Sequence, residues 1–137
     1  MTDRKKLFLY KEETILIGKE CVIDSSVENS NTVIFEDDGQ TGYFYAVDRE
    51  DGMRILDALH IYNVQSVTDR DLPSTLKILW TEDLNQAFVT INDYFHAVFD
   101  FEKKAGYCRN GFPKANSWTK IKERTLTDDL LIELSKK

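Results

Sequence analysis

A histidine and a cysteine in the second half of the chain are the residues whose chemistry is easiest to name. His96 follows two aromatic residues in one predicted strand, and Cys108 lies in the next. A nucleophilic cysteine needs a histidine within hydrogen-bond reach, but the loop at residues 103–106 does not fix whether the two side chains share a face. The alternative interpretation is therefore an enzyme or small-ligand-binding domain whose pocket is lined by Tyr94, His96, Tyr107, Cys108 and Arg109.

The same stretch does not make a metal centre. Asp100 lies on the strand that carries His96 but four residues further on, about 13 Å away along an extended chain, so the two cannot share one ion. Neither Cys21 nor Cys108 has a second Cys or His at zinc spacing, and in a reducing compartment we expect both to be thiols. The sequence predicts no metal, no cofactor and no catalytic residue, which favours a protein that is not an enzyme.

Six carboxylates between residues 36 and 51 support the leading interpretation, a docking surface for a protein. The first three precede Gly39 at a predicted turn, which would project them into solvent, where like charges repel one another. Their spacing is not that of a calcium loop, which needs a glutamate where this chain has Asp48. A partner that supplies lysine or arginine would relieve the repulsion and associate faster. The predicted partner-binding residues are Glu36, Asp37, Asp38, Asp48, Glu50 and Asp51.

The distribution of charge favours a basic protein partner over a nucleic acid. The net charge is −6, and an acidic body is followed by a basic segment, residues 103–124, with seven bases and one acid. An acidic body repels phosphate, and seven bases spread over that segment are a weak signal for a nucleic acid groove. The basic segment either packs beside the acidic strands, or the acidic face stays free for a partner.

Length and composition predict a single domain, residues 1–137. Apolar residues make up 42% of the 137 and charged residues 31%, which is ordinary for a folded protein with one core. The apolar run near the N-terminus has four residues, too few for a secretion signal, and no run approaches the length of about 18 that crosses a membrane. We therefore expect a cytoplasmic protein without a membrane partner.

Alternating apolar residues predict an α+β fold, a mostly antiparallel sheet of about six or seven strands with a C-terminal helix packed on one face. Asn92 and Asp93 form a predicted two-residue turn, so that Ile91 pairs with Tyr94. The strand register that follows from this pair sets Val89 opposite His96 and Phe88 opposite Ala97. Both faces of this hairpin are apolar, so we expect it to be central and His96 to be at least half buried. The predicted strands are residues 7–10, 14–17, 32–36, 43–47, 76–81, 86–91, 94–101 and 105–109.

Three further predictions concern less regular segments. Residues 51–62 suit either a helix or a strand. Apolar residues recur at helical spacing from Ile55 onward, which favours a short helix over residues 51–59, while Leu59, Ile61 and Val64 also suit the start of a strand. Thr127 is the predicted N-cap of the C-terminal helix, whose leucines face the sheet. Trp118 is predicted to pack on the sheet and hold down the loop at residues 110–120.

Four stretches of the chain resemble a family of small uncharacterised bacterial proteins, a domain of unknown function. They are residues 33–46, 55–64, 91–101 and 106–109. The resemblance implies a bacterial cytoplasmic protein and brings no catalytic residues with it. Small acidic domains of this kind are similar in character to the immunity proteins of bacterial toxin systems. The sequence thus leads to the expectation of a non-enzymatic binding module, of the immunity type, whose acidic face docks a basic protein partner.

Overall fold

The computed structural model describes residues 4–136, which form nine strands and one short helix. The strands pair into a five-stranded sheet, in the order β1-β6-β7-β8-β9, and a four-stranded sheet, β2-β3-β4-β5, with antiparallel neighbours throughout. The elements are β1 Leu7–Ile15, β2 Cys21–Ser26, β3 Asn31–Asp37, β4 Thr41–Asp48, β5 Arg54–Asn63, β6 Ser74–Thr81, β7 Gln86–Ile91, β8 Tyr94–Asp100, β9 Ala105–Cys108 and α1 Asp128–Leu134, with a 3₁₀ turn at Val64–Ser66.

The two sheets face each other across the main core. Phe44 of one sheet stacks on Phe99 of the other with ring centroids 5.2 Å apart, and the fully buried Trp80 donates a hydrogen bond from Nε1 to Ser25 Oγ across the gap, at 3.0 Å. The expectation of one sheet with six or seven strands is therefore wrong. The fold is mostly β, because β2 adds a strand and residues 54–63 form the strand β5 rather than a helix.

The helix α1 covers the outer face of the five-stranded sheet, as predicted. Thr127 accepts a hydrogen bond from the Leu130 backbone N–H at 3.1 Å and so caps the helix. The leucines of α1 pack against Phe88 and Val98. The five-stranded sheet is thus covered on both faces, and β7 is its central strand.

The β7–β8 hairpin has the predicted two-residue turn. Asn92 and Asp93 have φ angles of 52° and 64°, and Ile91 pairs with Tyr94. Positive φ at both central residues is the signature of a type I′ turn, which asparagine and aspartate tolerate better than other side chains. His96 is less than half exposed, which confirms the prediction of a half-buried histidine in an interior hairpin.

A β-bulge shifts the register of this hairpin beyond the turn. The ladder slips between Val89 and Thr90, so that Val89 pairs with Ala97 rather than with His96. Phe88 then pairs with Val98 rather than with Ala97, and the predicted register is wrong by one residue from the bulge onward. Because one extra residue inverts the alternation of side chains, Phe88 and Phe95 lie on the helix side of the sheet while Phe99 and Phe101 pack in the main core.

Residues 51–59 were expected to be helical, and this prediction is wrong because the segment enters strand β5. The ladder with β4 shifts twice, and Leu56 and Ile61 are the extra residues. Two bulges five residues apart interrupt the period of two, so the core residues Leu56, Leu59 and Tyr62 recur at intervals of three and imitate helical spacing.

A buried ion pair ties the basic C-terminal segment to β5. Arg124 and Asp57 are 1% and 2% exposed, and Arg124 Nη2 lies 3.0 Å from Asp57 Oδ1. Thr119 donates to the other carboxylate oxygen at 2.6 Å, and Arg124 also donates to the Ala58 carbonyl at 3.0 Å. This part of the basic segment therefore packs beside a strand of the acidic body, which is one of the two arrangements considered from the charge distribution.

The same segment covers the outer edge of β5 at two more points. The His60 backbone N–H donates to the Phe112 carbonyl at 2.9 Å, and Asn116 donates to the Leu56 carbonyl at 2.8 Å. Trp118 follows in this loop and packs against Phe99 and Phe101, with ring centroids 6.4 and 6.0 Å away. The predicted packing of Trp118 on the sheet is confirmed, and its role in holding down the loop stays a prediction.

Candidate functional site

The six predicted acidic residues do not form one cluster. Strand β4 has eight residues and separates the turn at residues 38–40 from the turn that follows Asp48. At about 3.3 Å per residue the two turns lie roughly 23 Å apart. The first three acids and the last three therefore lie at opposite ends of β4, and a role of these residues in binding stays a prediction.

Asp37 does not project into solvent. It is 1% exposed and accepts hydrogen bonds from the Tyr62 hydroxyl at 2.6 Å and from the Gly18 and Gly39 backbone N–H groups at 2.7 and 2.8 Å. Alternation along β3 turns it inward with Val33 and Phe35. Burial, and then the bond to Asp37, raise the pKa of the Tyr62 phenol well above its usual range. Asp37 holds the ends of two strands together, and the expectation that it is exposed is wrong.

Glu36 and Asp38 are the acids at this end that reach the surface. Asp38 is exposed and accepts hydrogen bonds from the backbone N–H groups of Gln40 and Thr41, both at 2.9 Å, which lower the pKa of its carboxyl group. Glu36 is partly exposed and accepts a hydrogen bond from the Tyr45 hydroxyl at 3.3 Å. Burial and the nearby Glu36 raise the pKa of Tyr45 to about 12, so its phenol stays a neutral donor.

The acids at the other end of β4 have partners within the chain. Arg54 Nε lies 2.7 Å from Asp51 Oδ2, and its Nη2 lies 3.8 Å from Asp48. Glu50 accepts a hydrogen bond from Ser30 Oγ at 3.0 Å. All of these groups are substantially solvent-exposed, so water screens the ion pairs. Because Arg54 neutralises part of the charge here, a partner would meet less negative charge at this end of β4 than at the end that carries Glu36 and Asp38.

The outer face of the four-stranded sheet carries a surface that we name the tyrosine face. Its residues lie in two rows across the strands, and every one of them is at least partly exposed. Glu36 and Asp24 bring two negative charges to it, and its eight positions contain no lysine or arginine. The tyrosine face consists of Val22, Glu36, Tyr43 and His60 in one row, and Asp24, Ile34, Tyr45 and Ala58 in the other.

Four rings form a continuous chain of aromatic contacts along this face. Tyr45 stacks on Tyr43 with centroids 5.9 Å apart, Tyr43 meets His60 edge-on at 5.4 Å, and His60 meets Phe112 at 6.0 Å. The His60 ring is held by Asn110 Nδ2, 2.6 Å from Nδ1, and by Asn63 Oδ1, 3.0 Å from Nε2. The chain ends in Phe112, which is 56% exposed. Positioned tyrosines of this kind provide contact area at low cost in conformational entropy.

Sequence reasoning missed this surface, although a signal for it was present. Tyr43 and Tyr45 alternate with Phe44 and Ala46, and in a strand such alternation places the tyrosines on one face and the apolar pair on the other. The contribution of His60 had no such signal, because the predicted helix at residues 51–59 would have ended just before it.

The residues of the alternative pocket are not brought together around one cavity. Cys108 is fully buried in the main core, where its thiol lies 3.4 Å from both Asn110 Oδ1 and the Phe112 carbonyl. Burial raises the pKa of that thiol, which disfavours the thiolate. Tyr107 packs on the other face of the sheet, beside Phe88. A side chain on each face of one sheet cannot line a common pocket.

His96 lies among aromatic and cationic groups rather than beside an acid. Its ring meets Tyr94 edge-on at 4.9 Å, and the guanidinium of Arg109 sits over the Tyr94 ring at 4.5 Å. Burial, and then the Arg109 charge, lower the pKa of His96 to about 4. The Cys108 thiol has Asn110 and the Phe112 carbonyl as its hydrogen-bond partners rather than the His96 ring, so the enzyme alternative stays a prediction that this geometry does not support. Among residues 4–136, no group of His, Cys, Asp and Glu side chains could hold a metal ion.

The depressed pKa of His96 predicts a specific acid sensitivity. In the unfolded chain the imidazole titrates near pH 6.5, and in the folded chain near pH 4. Between these values the unfolded state binds more protons, so stability falls as the pH falls. We expect His96 to remove about 2 kcal/mol of the free energy of unfolding between pH 7.5 and pH 5. Urea denaturation of the wild type and of His96→Gln at both pH values measures this difference, and equal pH dependence of the two proteins would contradict it.

Comparison with known proteins places these observations in a family context. The family described as "Uncharacterized protein conserved in bacteria (DUF2251)" matches residues 15–135. A relative from Haemophilus influenzae, strain Rd, named "Uncharacterized protein", is 40% identical over 123 residues, which cover 85% of this chain and 76% of the relative. No solved structure matches the chain significantly. Among the described residues, no helix is long and apolar enough to cross a membrane.

Proposed function

The chain belongs to the DUF2251 family of conserved bacterial proteins, and from this premise we propose that it is a non-enzymatic binding module of the bacterial cytoplasm. Its partner is a basic protein, and its role is that of an immunity-type protein, which occupies the basic surface of another protein. The tyrosine face is the docking surface, extended at one end by Asp38 and at the other by Phe112.

The observation that carries this proposal is the combination of rings and charge on the tyrosine face. Tyr43 and Tyr45 form a stacked pair, and Glu36 lies beside them, bonded to the Tyr45 hydroxyl. An arginine of a partner would lie over a tyrosine ring and pair with the Glu36 carboxylate at the same time, two interactions that reinforce each other. Val22, which is 65% exposed, adds apolar area next to Glu36.

The chain itself contains one example of this recognition. The guanidinium of Arg109 sits over the Tyr94 ring at 4.5 Å, and its Nη1 lies 2.8 Å from Asp128 Oδ1. On the tyrosine face the ring and the carboxylate are present, and its eight positions lack the arginine. This complementarity supports a partner that contributes arginine rather than an acidic or neutral one.

Association kinetics with an arginine-rich peptide test the proposal. A peptide that alternates arginine and serine is the probe, and surface plasmon resonance gives its association and dissociation rates. The variant Asp24→Asn with Glu36→Gln removes two charges from the tyrosine face without burying or unpairing a group. We expect it to slow association about tenfold at low salt, and we expect the slowing to shrink as salt screens the charges.

The matched control removes the same charge from the far end of β4. Glu50→Gln with Asp51→Asn should leave the association rate within about twofold of the wild type, since these acids lie off the tyrosine face, in the turn after β4, and are paired with Ser30 and Arg54. If the control slows association as much as the test variant, the peptide responds to net charge alone and the tyrosine face is not the site. Unchanged rates in both variants would overturn the acidic docking surface altogether.

A further inference from the structure

A groove on the opposite side of the molecule has the features of a ligand site. It lies between the N-terminal segment, α1 and the outer face of the five-stranded sheet, and has a volume of about 270 Å³. Its walls are predominantly apolar and come from Leu7, Phe88, Phe95 and Leu131. The groove faces away from the tyrosine face, because the two lie on the outer faces of different sheets.

The polar part of the groove is cationic and held in place. Arg4 and Lys5 lie in its lining, and Lys5 Nζ donates to Gln86 Oε1 at 3.0 Å. Gln86 is 2% exposed, and its Nε2 donates in turn to Asp100 Oδ2 at 3.0 Å. The other Asp100 oxygen accepts from the Lys103 backbone N–H at 3.0 Å, which fixes the carboxylate. The carbonyl oxygen of Gln86 is thereby directed at Lys5.

The hydrogen bonds from Lys5 to Gln86 and from Gln86 to Asp100 leave N–H donors of Lys5 available at the groove. An ammonium group has three N–H donors, and Gln86 uses one of those of Lys5. A lysine on an open surface samples many rotamers, whereas this one is tethered beside an apolar wall, so less entropy is lost when it binds an anion. Among the described residues, none that lines the groove is Asp or Glu, and Asp83, whose carboxyl group is near enough to feel the Lys5 charge, lies outside the lining.

We propose that the groove binds a short-chain amphiphilic carboxylate, such as a free fatty acid of about eight carbons. The carboxylate pairs with Lys5 and Arg4, and the alkyl chain lies against Phe88, Phe95 and Leu131. The volume sets the length. At about 30 Å³ for each water-sized group, the groove of about 270 Å³ holds about nine non-hydrogen atoms. It is at the lower limit of ligand pockets, which suits a small molecule.

A series of straight-chain carboxylates tests both the class and the size of the ligand. Butanoate, hexanoate, octanoate and dodecanoate are titrated into the isotopically labelled protein, and amide chemical shifts at Leu7, Phe88 and Leu131 report binding. We expect affinity to rise about fourfold for each added methylene and to level off once the groove is full, near octanoate. Absence of saturable binding by octanoate, or shifts that spread evenly over both sheets, would overturn the proposal.

Two kinds of variant separate the head group from the tail. Lys5→Gln keeps a donor for Gln86 but removes the charge, and Arg4→Gln removes the second cation. Together they should weaken octanoate about tenfold and leave octanol unchanged, while the charge-matched control, Lys120→Gln with Lys122→Gln, affects neither. Leu131→Trp fills the groove and should abolish binding of both ligands, provided that its thermal unfolding shows a folded protein. Octanoate binding that survives both the double replacement and Leu131→Trp would contradict the assignment.

Two other occupants are distinguished in the same series of experiments. Co-sedimentation with phosphatidylglycerol vesicles that octanoate reverses would show that the groove takes a membrane lipid. The proposal of a free carboxylate as the ligand would then be wrong. A dimer in light scattering that Leu131→Trp disrupts would show that a second copy covers the groove. The proposal expects a protein that stays monomeric in this assay and does not sediment with vesicles.

Discussion

Replacing Arg124 with methionine is expected to lower the free energy of unfolding by about 3–5 kcal/mol. Methionine retains the apolar volume of the side chain but leaves the Asp57 carboxylate buried without its charged partner, and burying an unpaired charge is costly. Arg124 is 1% exposed and Asp57 2%, so water cannot replace the lost ion pair without opening the seam between β5 and the C-terminal segment. Urea denaturation at pH 7 measures the loss.

An exposed ion pair of similar length provides the matched control. Arg54 Nε lies 2.7 Å from Asp51 Oδ2, but both side chains are more than half exposed. Arg54→Met should therefore cost less than about 1 kcal/mol. The double variant Asp57→Leu with Arg124→Met leaves no unpaired charge and should recover at least half of the loss seen for Arg124→Met alone. Equal losses for Arg124→Met and Arg54→Met would show that the buried pair contributes no more than the surface one.

Replacing Trp118 with alanine is expected to destabilise the fold by about 3 kcal/mol. The indole packs edge-on against Phe99 and Phe101, and Trp→Ala replacements in packed sites cost about 3–5 kcal/mol. The lower end of that range applies because Trp118 is only partly buried. Denaturant unfolding gives the loss, and hydrogen exchange should show faster opening of the loop at residues 110–120.

Phe112 in the same loop is the control for Trp118. Its ring is 56% exposed, so Phe112→Ala should cost less than about 1 kcal/mol, as surface replacements do. A loss below about 0.5 kcal/mol for Trp118→Ala, or one no greater than that of Phe112→Ala, would show that the indole rests on the sheet without holding the loop.

Sequence patterns predicted those parts of the fold that depend on neighbours in the chain. The β7–β8 turn follows from Asn92 and Asp93 themselves, and the start of α1 from Thr127, because a turn and a cap are local structures. The β5 strand was missed because its bulges at Leu56 and Ile61 break the alternation by which a strand is recognised. A bulge is decided by pairing with another strand, and the sequence of β5 alone does not contain that information.

The candidate site shows the same division between local and long-range structure. The acids from Glu36 to Asp51 are close in sequence, but β4 holds them at the two ends of a strand, and the inward side of β3 takes Asp37 out of solvent. Tyr43 and Tyr45 share a face by simple alternation, which sequence can predict. Their meeting with His60 and Phe112 depends on the β4–β5 register and on a loop about 50 residues further along the chain, as the bond between Asn110 and His60 illustrates.

The cover along the outer edge of β5 has a consequence for the behaviour of the protein at high concentration. An uncovered edge strand presents a row of N–H and C=O groups that can add a strand from another molecule and so begin aggregation. Here the Leu56 and Ala58 carbonyls and the His60 N–H are already bonded to Asn116, Arg124 and Phe112. The basic C-terminal segment thus blocks the addition of a strand from another molecule at the edge of β5. It does so without covering the tyrosine face beside that edge, where side chains rather than backbone groups would contact another protein.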